Sequence, residues 1–187
     1  MLFIAVATLV GFSLGGILII LQFQDVSLPA VFFRTPTPLY QQIVVGLLYG
    51  FITTMPIIYA CRFKSFQDVT LEYSQMLPKD LSILEILFIS LCVGVGEEIF
   101  FRAGMQPLWG VIVTSIFFVG IHFYYDFFNT PKLYYGFYLT IVIIGAAYLF
   151  EYMGIWAASA FHFMFDAILI WYLTRKVNPL STDSKPT

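Results

Sequence analysis

The sequence predicts an all-α fold, a polytopic membrane helix bundle with about six transmembrane helices. Of its 187 residues, 60% are hydrophobic and only 11% are charged. Lys, Arg, Asp and Glu make most of a water-facing surface, and a soluble domain is about one quarter charged. Nine basic and eleven acidic side chains cannot coat a globule of this size. The apolar runs are also continuous over roughly 20 residues, the length that crosses a bilayer, and do not alternate as barrel strands do. A soluble or disordered chain is thereby excluded. The formal net charge of −2 leaves no basic footprint for nucleic acid.

Taken in order, the apolar stretch from Leu2 to Phe23 has no basic residues ahead of it. It is too long for a signal-peptide core, so it is expected to be a retained first span at 2–22. The remaining spans are expected at 41–61, 83–105, 107–126, 134–153 and 156–175. The connection from Gln24 to Tyr40 carries Pro29, Pro36 and Pro38 and suits a short interfacial segment around Val31, Phe32 and Phe33. Arg62 to Ser82 is the most polar stretch. Ser82 is the expected cap of the third span, with Glu85 three residues on completing a capping box. Met105-Gln106-Pro107 separates the third and fourth spans, with Pro107 placed at the first turn of the next helix. Asp126 to Lys132, with Pro131, closes the fourth span, and Glu151, Met153 and Gly154 turn the chain into the sixth. One transmembrane domain over 1–177 and a polar tail over 178–187 are expected. Gly11 and Gly15 form a small-xxx-small pair that suits helix packing. Cys61 and Cys92 read as small buried hydrophobes. With the N-terminus cytoplasmic, Arg62, Lys64, Lys79, Lys132, Arg175, Lys176 and Lys185 fall inside, and Arg34 and Arg102 outside. The positive-inside rule therefore places both termini in the cytoplasm.

Ionisable residues inside such spans cost at least about 2.5 kcal/mol each for Asp, Lys or Arg. The third span holds Glu97, Glu98 and Arg102, the fourth His122, the sixth His162 and Asp166. His122 and His162 are the two histidines of the chain. Glu98 and Arg102 are i,i+4 with the acid N-terminal, the better order for an ion pair. Glu97 lies about 100° around the helix from Glu98, so the two acids need not share a partner. Phe118 and His122 repeat the i,i+4 spacing, as do His162 and Asp166, where Asp166 is placed to orient the imidazole. Three helices supplying polar groups is the layout of a site inside a bundle.

Glu97-Glu98-x-x-x-Arg102, Phe118-x-x-x-His122 and His162-x-x-x-Asp166, in this order on three apolar helices, resemble the signature of the CAAX protease and bacteriocin-processing family, also called the Abi family. The Gln106-Pro107 corner resembles its prokaryotic members, and the family-like core covers about residues 83–175. The resemblance implies an intramembrane endopeptidase that hydrolyses a peptide bond of a membrane-anchored or lipidated protein or peptide, in a prokaryotic cytoplasmic membrane. It implies that Glu97 and His122 hold and activate a water, that His162 and Asp166 stabilise the oxyanion, and that Glu98 and Arg102 brace the third helix. Two positions depart from the pattern. The CAAX branch has Asn where Asp166 stands, and an ionised Asp accepts hydrogen bonds but donates none. Ala103 intervenes between Arg102 and Gly104, where Gly usually follows directly; a small change in helix packing is the expectation.

No cofactor is expected. If a metal is used, Glu97, His122, His162 and Asp166 are the ligands that suit zinc, although no HExxH pair is present. A proton-coupled transporter and a non-catalytic immunity or scaffold protein are the competing readings. One geometric conflict arises. With the corner at Gln106-Pro107, Glu97 and His122 differ in depth by roughly 10 Å at 1.5 Å per residue, and a corner sunk within the bundle is expected to relieve this.

Overall fold

The computed structural model describes residues 1–177, so the tail at 178–187 and Lys185 lie outside the described residues. Among the described residues there are helices and no strands. The helices are α1 (Leu2–Phe23), α2 (Leu28–Phe32), α3 (Leu39–Ala60), α4 (Lys64–Gln75), α5 (Ile83–Glu98), α6 (Gln106–Ile121), α7 (Thr130–Met153) and α8 (Ile155–Tyr172). Seven residues of wider π-helix, Ile99–Met105, join α5 to α6, and Leu173–Val177 continues α8 in the same form. Helices α1, α3 and α7, and α8 with its extension, are long and apolar enough to cross a membrane. The protein is a helical membrane bundle.

Local signals account for several boundaries. Ser82 Oγ accepts the Glu85 amide while the Glu85 carboxylate accepts the Ser82 amide, the capping box the sequence predicts. The short α2 occupies the expected interfacial segment. Gly154, with φ +95°, makes the tight turn from α7 into α8 in a left-handed region that favours glycine. The polar connection after Arg62 contains a helix the sequence reading did not assign. In α4 Val69, Thr70 and Ser74 are buried on one face of a strongly amphipathic helix, and its polar average is what sets it apart from the apolar spans.

The largest departure lies at the corner between the third and fourth expected spans. Backbone angles at Met105 and Gln106 are helical, and the chain reverses at Gly110, with φ +78° and ψ +165°. Pro107 therefore sits inside a continuing helix, three residues before the reversal. Lacking an N–H, it donates no backbone bond to the turn before it, where the wider helix ends. Gln24 at the end of α1 donates there from a side chain: its Nε2 bonds the carbonyls of Ala103 and Gly104, both at 2.8 Å. Nor is the corner sunk in the bundle. Gln106 is buried and held by Ala147 and Glu151, whereas Pro107 to Gly110 are exposed.

This placement removes the depth conflict by another route. Thirteen residues separate Glu97 from Gly110, and twelve separate Gly110 from His122. At 1.5 Å per residue the two arms are about 20 and 18 Å long, so both side chains lie at nearly one depth.

Glycine sets how closely the helices approach, at positions other than the predicted pair. A Cβ at Gly11 would meet nothing within 4 Å, and at Gly15 it would meet only the Phe100 ring. The close contact of α1 is instead at Gly16, where a Cβ would lie 2.6 Å from the Ile99 carbonyl oxygen. Helices α3 and α8 meet through Gly46 and Gly50, where a Cβ would fall 2.2 Å from the Ala157 oxygen and 2.5 Å from that of Phe161. Gly46→Val should therefore destabilise the bundle by about 1–3 kcal/mol through overpacking, while Gly11→Val should leave it unchanged. Thermal unfolding in detergent checks both, and equal melting of the two variants would refute this packing.

One end of the bundle carries Met1, α4, the loop after α6 and Val177. There Arg175 donates to the Leu81 carbonyl and Lys132 pairs with Glu72 at 2.7 Å. The opposite end carries Gly110, Gly154 and the Arg34–Glu151 pair at 3.0 Å.

Candidate active site

The end of α5 brings Glu97 and Glu98 to the centre of the bundle, and the α5–α8 contact fixes their partners. At Gly94 a Cβ would lie 2.9 Å from the Phe163 amide nitrogen, so only glycine lets α8 come this close. That approach places Glu98 Oε1 2.9 Å from His162 Nδ1. The other oxygen, Glu98 Oε2, accepts from Arg102 Nε at 3.0 Å. Both Glu98 and Arg102 are 0% exposed. Arg102 also lies over the Phe118 ring at 5.6 Å. Its position in the π-helical stretch is one where helices commonly widen at functional sites.

The role of Glu98 is thus larger than bracing one helix. Its carboxylate joins Arg102 to His162 and sets the imidazole: with Nδ1–H donated to Glu98, Nε2 faces inward. The orienting position expected for Asp166 is taken by Glu98. Asp166 Oδ2 stands 3.6 Å from His162 Nε2, beyond hydrogen-bond length.

His122 ends α6. Its Nδ1 bonds the Phe118 carbonyl at 2.7 Å, one of the last-turn carbonyls that lack a helical partner. The Phe118 ring packs on the imidazole at 4.5 Å and is held edge-on by Phe101 at 4.9 Å. His122 Nε2 is left pointing at Glu97. Glu97 Oε2 lies 3.7 Å from His122 Nε2 and 4.0 Å from His162 Nε2. One carboxylate oxygen therefore faces two imidazole nitrogens from different helices, each just too far for a direct hydrogen bond.

Glu97, His122, His162 and Asp166 all line one cavity of about 220 Å³. Beside it a second, mostly apolar cavity of about 420 Å³ runs from Asp166 towards the α4 end, past Ile57, Cys61, Val69 and Leu173. Tyr124, Tyr135, Leu169 and Asp166 line both. Cys92 is buried, as the sequence suggests, whereas Cys61 is half-buried in the wall of this second cavity. The tyrosines repeat at no helical spacing; Tyr124 comes back over His122 only through a turn at the single intervening residue Phe123, whose φ is +56°.

The four acid and histidine side chains do not form a metal cage as they stand. Their separations of 3.6 to 4.0 Å exceed the roughly 3.3 Å edge of a tetrahedral zinc site with bonds near 2.05 Å. Among the described residues no group of three or more His, Cys, Asp or Glu is arranged to hold a metal ion.

Among protein families, that of type II CAAX prenyl endopeptidase Rce1-like proteins matches residues 79–168. No curated protein and no solved structure matches the chain. The matched segment contains Glu97, His122, His162 and Asp166, which line one cavity, and Glu98 and Arg102, which are tied to it through His162. With these groups converging inside a bundle of membrane helices, residues 79–168 make the chain similar to the CAAX protease family of intramembrane endopeptidases.

Proposed function

We propose that this protein is a glutamate-type endopeptidase of the prokaryotic branch of the family, cutting a membrane-anchored or lipidated protein or peptide near its anchor. The observation that carries this reading is the single Glu97 oxygen facing two imidazole nitrogens at 3.7 and 4.0 Å. A water resting against Glu97 Oε2 and His122 Nε2 can give its proton to the carboxylate as it attacks a carbonyl carbon. His162, oriented through Nδ1, presents Nε2 to the carbonyl oxygen, and as imidazolium it donates a hydrogen bond to the oxyanion that forms. The proton held by Glu97 then passes to the leaving amine. Asp166 beside Nε2 favours that imidazolium by charge without touching the oxyanion.

Glu97 lies closer along α5 to the level of Gln24 than to Ile83, and His162 is seven residues from the Ile155 end of α8. The chemistry sits near the middle of the bundle's depth, and the apolar cavity leads to it from the α4 end. Six of the seven basic residues outside the site that the structure describes flank that end, so the positive-inside rule makes it cytoplasmic. Substrate on this reading enters from the cytoplasmic side.

The test compares cells carrying the wild type, Glu97→Gln or His122→Ala, with the terminal peptides of membrane-associated proteins profiled by mass spectrometry. Termini present with the wild type and absent with both variants are expected. If no terminus changes, the protease reading falls, and a transporter or scaffold takes its place. The water-activation scheme has its own test. Purified protein should carry less than stoichiometric zinc and keep its activity after chelator treatment. Stoichiometric zinc with chelator-sensitive cleavage would overturn the glutamate scheme.

A further inference from the structure

Three tyrosines stand where the two cavities meet. Tyr73 comes from α4, Tyr124 from the loop after α6, and Tyr135 from α7. Their rings pack on one another, with centroids 6.0 Å apart for Tyr73–Tyr124, 5.8 Å for Tyr73–Tyr135 and 5.4 Å for Tyr124–Tyr135. Tyr124 also lies parallel to the His122 imidazole, at 5.7 Å and 5°. The cluster is thus fixed to the site by direct contact.

Three other half-buried tyrosines in the bundle have hydroxyl partners. Tyr49 donates to the Val142 carbonyl, Tyr138 to that of Thr53, and Tyr125 shares a hydrogen bond with Thr140. Tyr73, Tyr124 and Tyr135 have no hydrogen-bond partner among the described residues, and all three line the apolar cavity. A tyrosine hydroxyl in such a place normally finds a partner. Burial and the charges of Glu72 and Asp126 push the Tyr73 phenol up to about 12, so it stays protonated and able to donate.

A peptide drawn through an apolar cavity brings the complementary need. Its backbone carbonyls lose water and cannot be left unpaired there. Asp166 on the shared wall and Glu97 beyond it repel a carboxylate, so the acceptors this cluster suits are neutral amide carbonyls. The geometry points to Tyr73, Tyr124 and Tyr135 as a backbone-binding subsite, whose hydroxyls hold the extended peptide beside the scissile bond and so select substrates by an unbroken amide backbone there. This rests on the protease reading above and adds to it the feature by which substrates are registered against Glu97.

Tyr→Phe changes remove the hydroxyls and keep the ring packing. The experiment takes purified wild type, the three single Tyr→Phe variants and the triple variant. The probes are a synthetic peptide copied from a terminus that depends on Glu97 in cells, and analogues with one amide near the cut replaced by an ester. An ester carbonyl is a weaker acceptor. Each lost hydroxyl that bonds substrate should lower kcat/KM about two- to tenfold, with melting unchanged. At one linkage the ester should cost the wild type several-fold and cost the matching Phe variant nothing more. Equal ester penalties in wild type and triple variant at every linkage, or full activity of the triple variant, would overturn the subsite and leave the protease reading standing. If no terminus depends on Glu97, both fall together.

Discussion

Glu97→Gln is expected to slow peptide cleavage by about 10²- to 10⁴-fold, the loss that follows removal of a positioned general base. Glutamine matches glutamate in shape, so the neighbours at 3.7 and 4.0 Å keep their places and melting should not change. What is lost is the ability to take a proton from water. His122→Ala should fall into the same range, because it removes the other nitrogen against which that water rests. The double variant should be little worse than either single one, since both act on the same step. Single-turnover rates of purified protein on a peptide copied from a Glu97-dependent terminus measure all three. A Glu97→Gln protein that cleaves within about threefold of the wild type would remove Glu97 from the chemistry.

Glu98 is expected to show two separable effects. Replacing it by Leu leaves the Arg102 guanidinium, 0% exposed, without its one charged partner. Stranding a buried charge costs about 3–5 kcal/mol, which should appear as a large fall in melting temperature. Nη1 and Nη2 of Arg102 have no hydrogen-bond partner among the described residues, so nothing else stands ready to compensate. Adding Arg102→Met to Glu98→Leu removes the stranded charge, and most of the stability should return, since apolar replacement of a buried pair is often near neutral. Cleavage should not return with it. His162 has lost the carboxylate that bonds Nδ1, and its ring is free to present the wrong nitrogen. A double variant that regains both stability and activity would reduce Glu98 to a bracing role.

What was legible in the sequence divides along physical lines. The long helices α1, α3, α7 and α8 follow from apolar runs that need no partner to be recognised, and the Ser82–Glu85 box is a local device read within four residues. The α5 corner was not legible. Pro107 is a strong local signal for a helix start, and the side-chain amide that bonds the Ala103 carbonyl comes from Gln24, 79 residues away. The glycine notches show the same limit. Gly11-xxx-Gly15 and Gly46-xxx-Gly50 are alike in pattern, and only the neighbouring helix decides that the second pair is used. Within the site, spacing gave the Glu98–Arg102 pair because both lie on one helix. It could not give the Glu98–His162 bond, which joins residues 64 apart and moves the orienting role away from Asp166. The helix α4 has a clear amphipathic period, but its twelve residues are polar on average and too short to span, so it does not stand out among the apolar runs.

The hairpin through Gly110 makes chain length itself a determinant of the site's geometry. Glu97 and His122 face each other because two arms of nearly equal length meet at one corner. Deleting one residue from either arm would draw its functional side chain about 1.5 Å along the axis and swing it about 100° around the helix. Either change would part the carboxylate from the imidazole. Gly110 itself is exposed, and a Cβ there would meet nothing within 4 Å, so extra residues inserted at the apex leave both arms in register. Insertions and deletions are therefore tolerated at the apex and forbidden along the arms, a constraint on length where the usual expectation is one on side-chain identity.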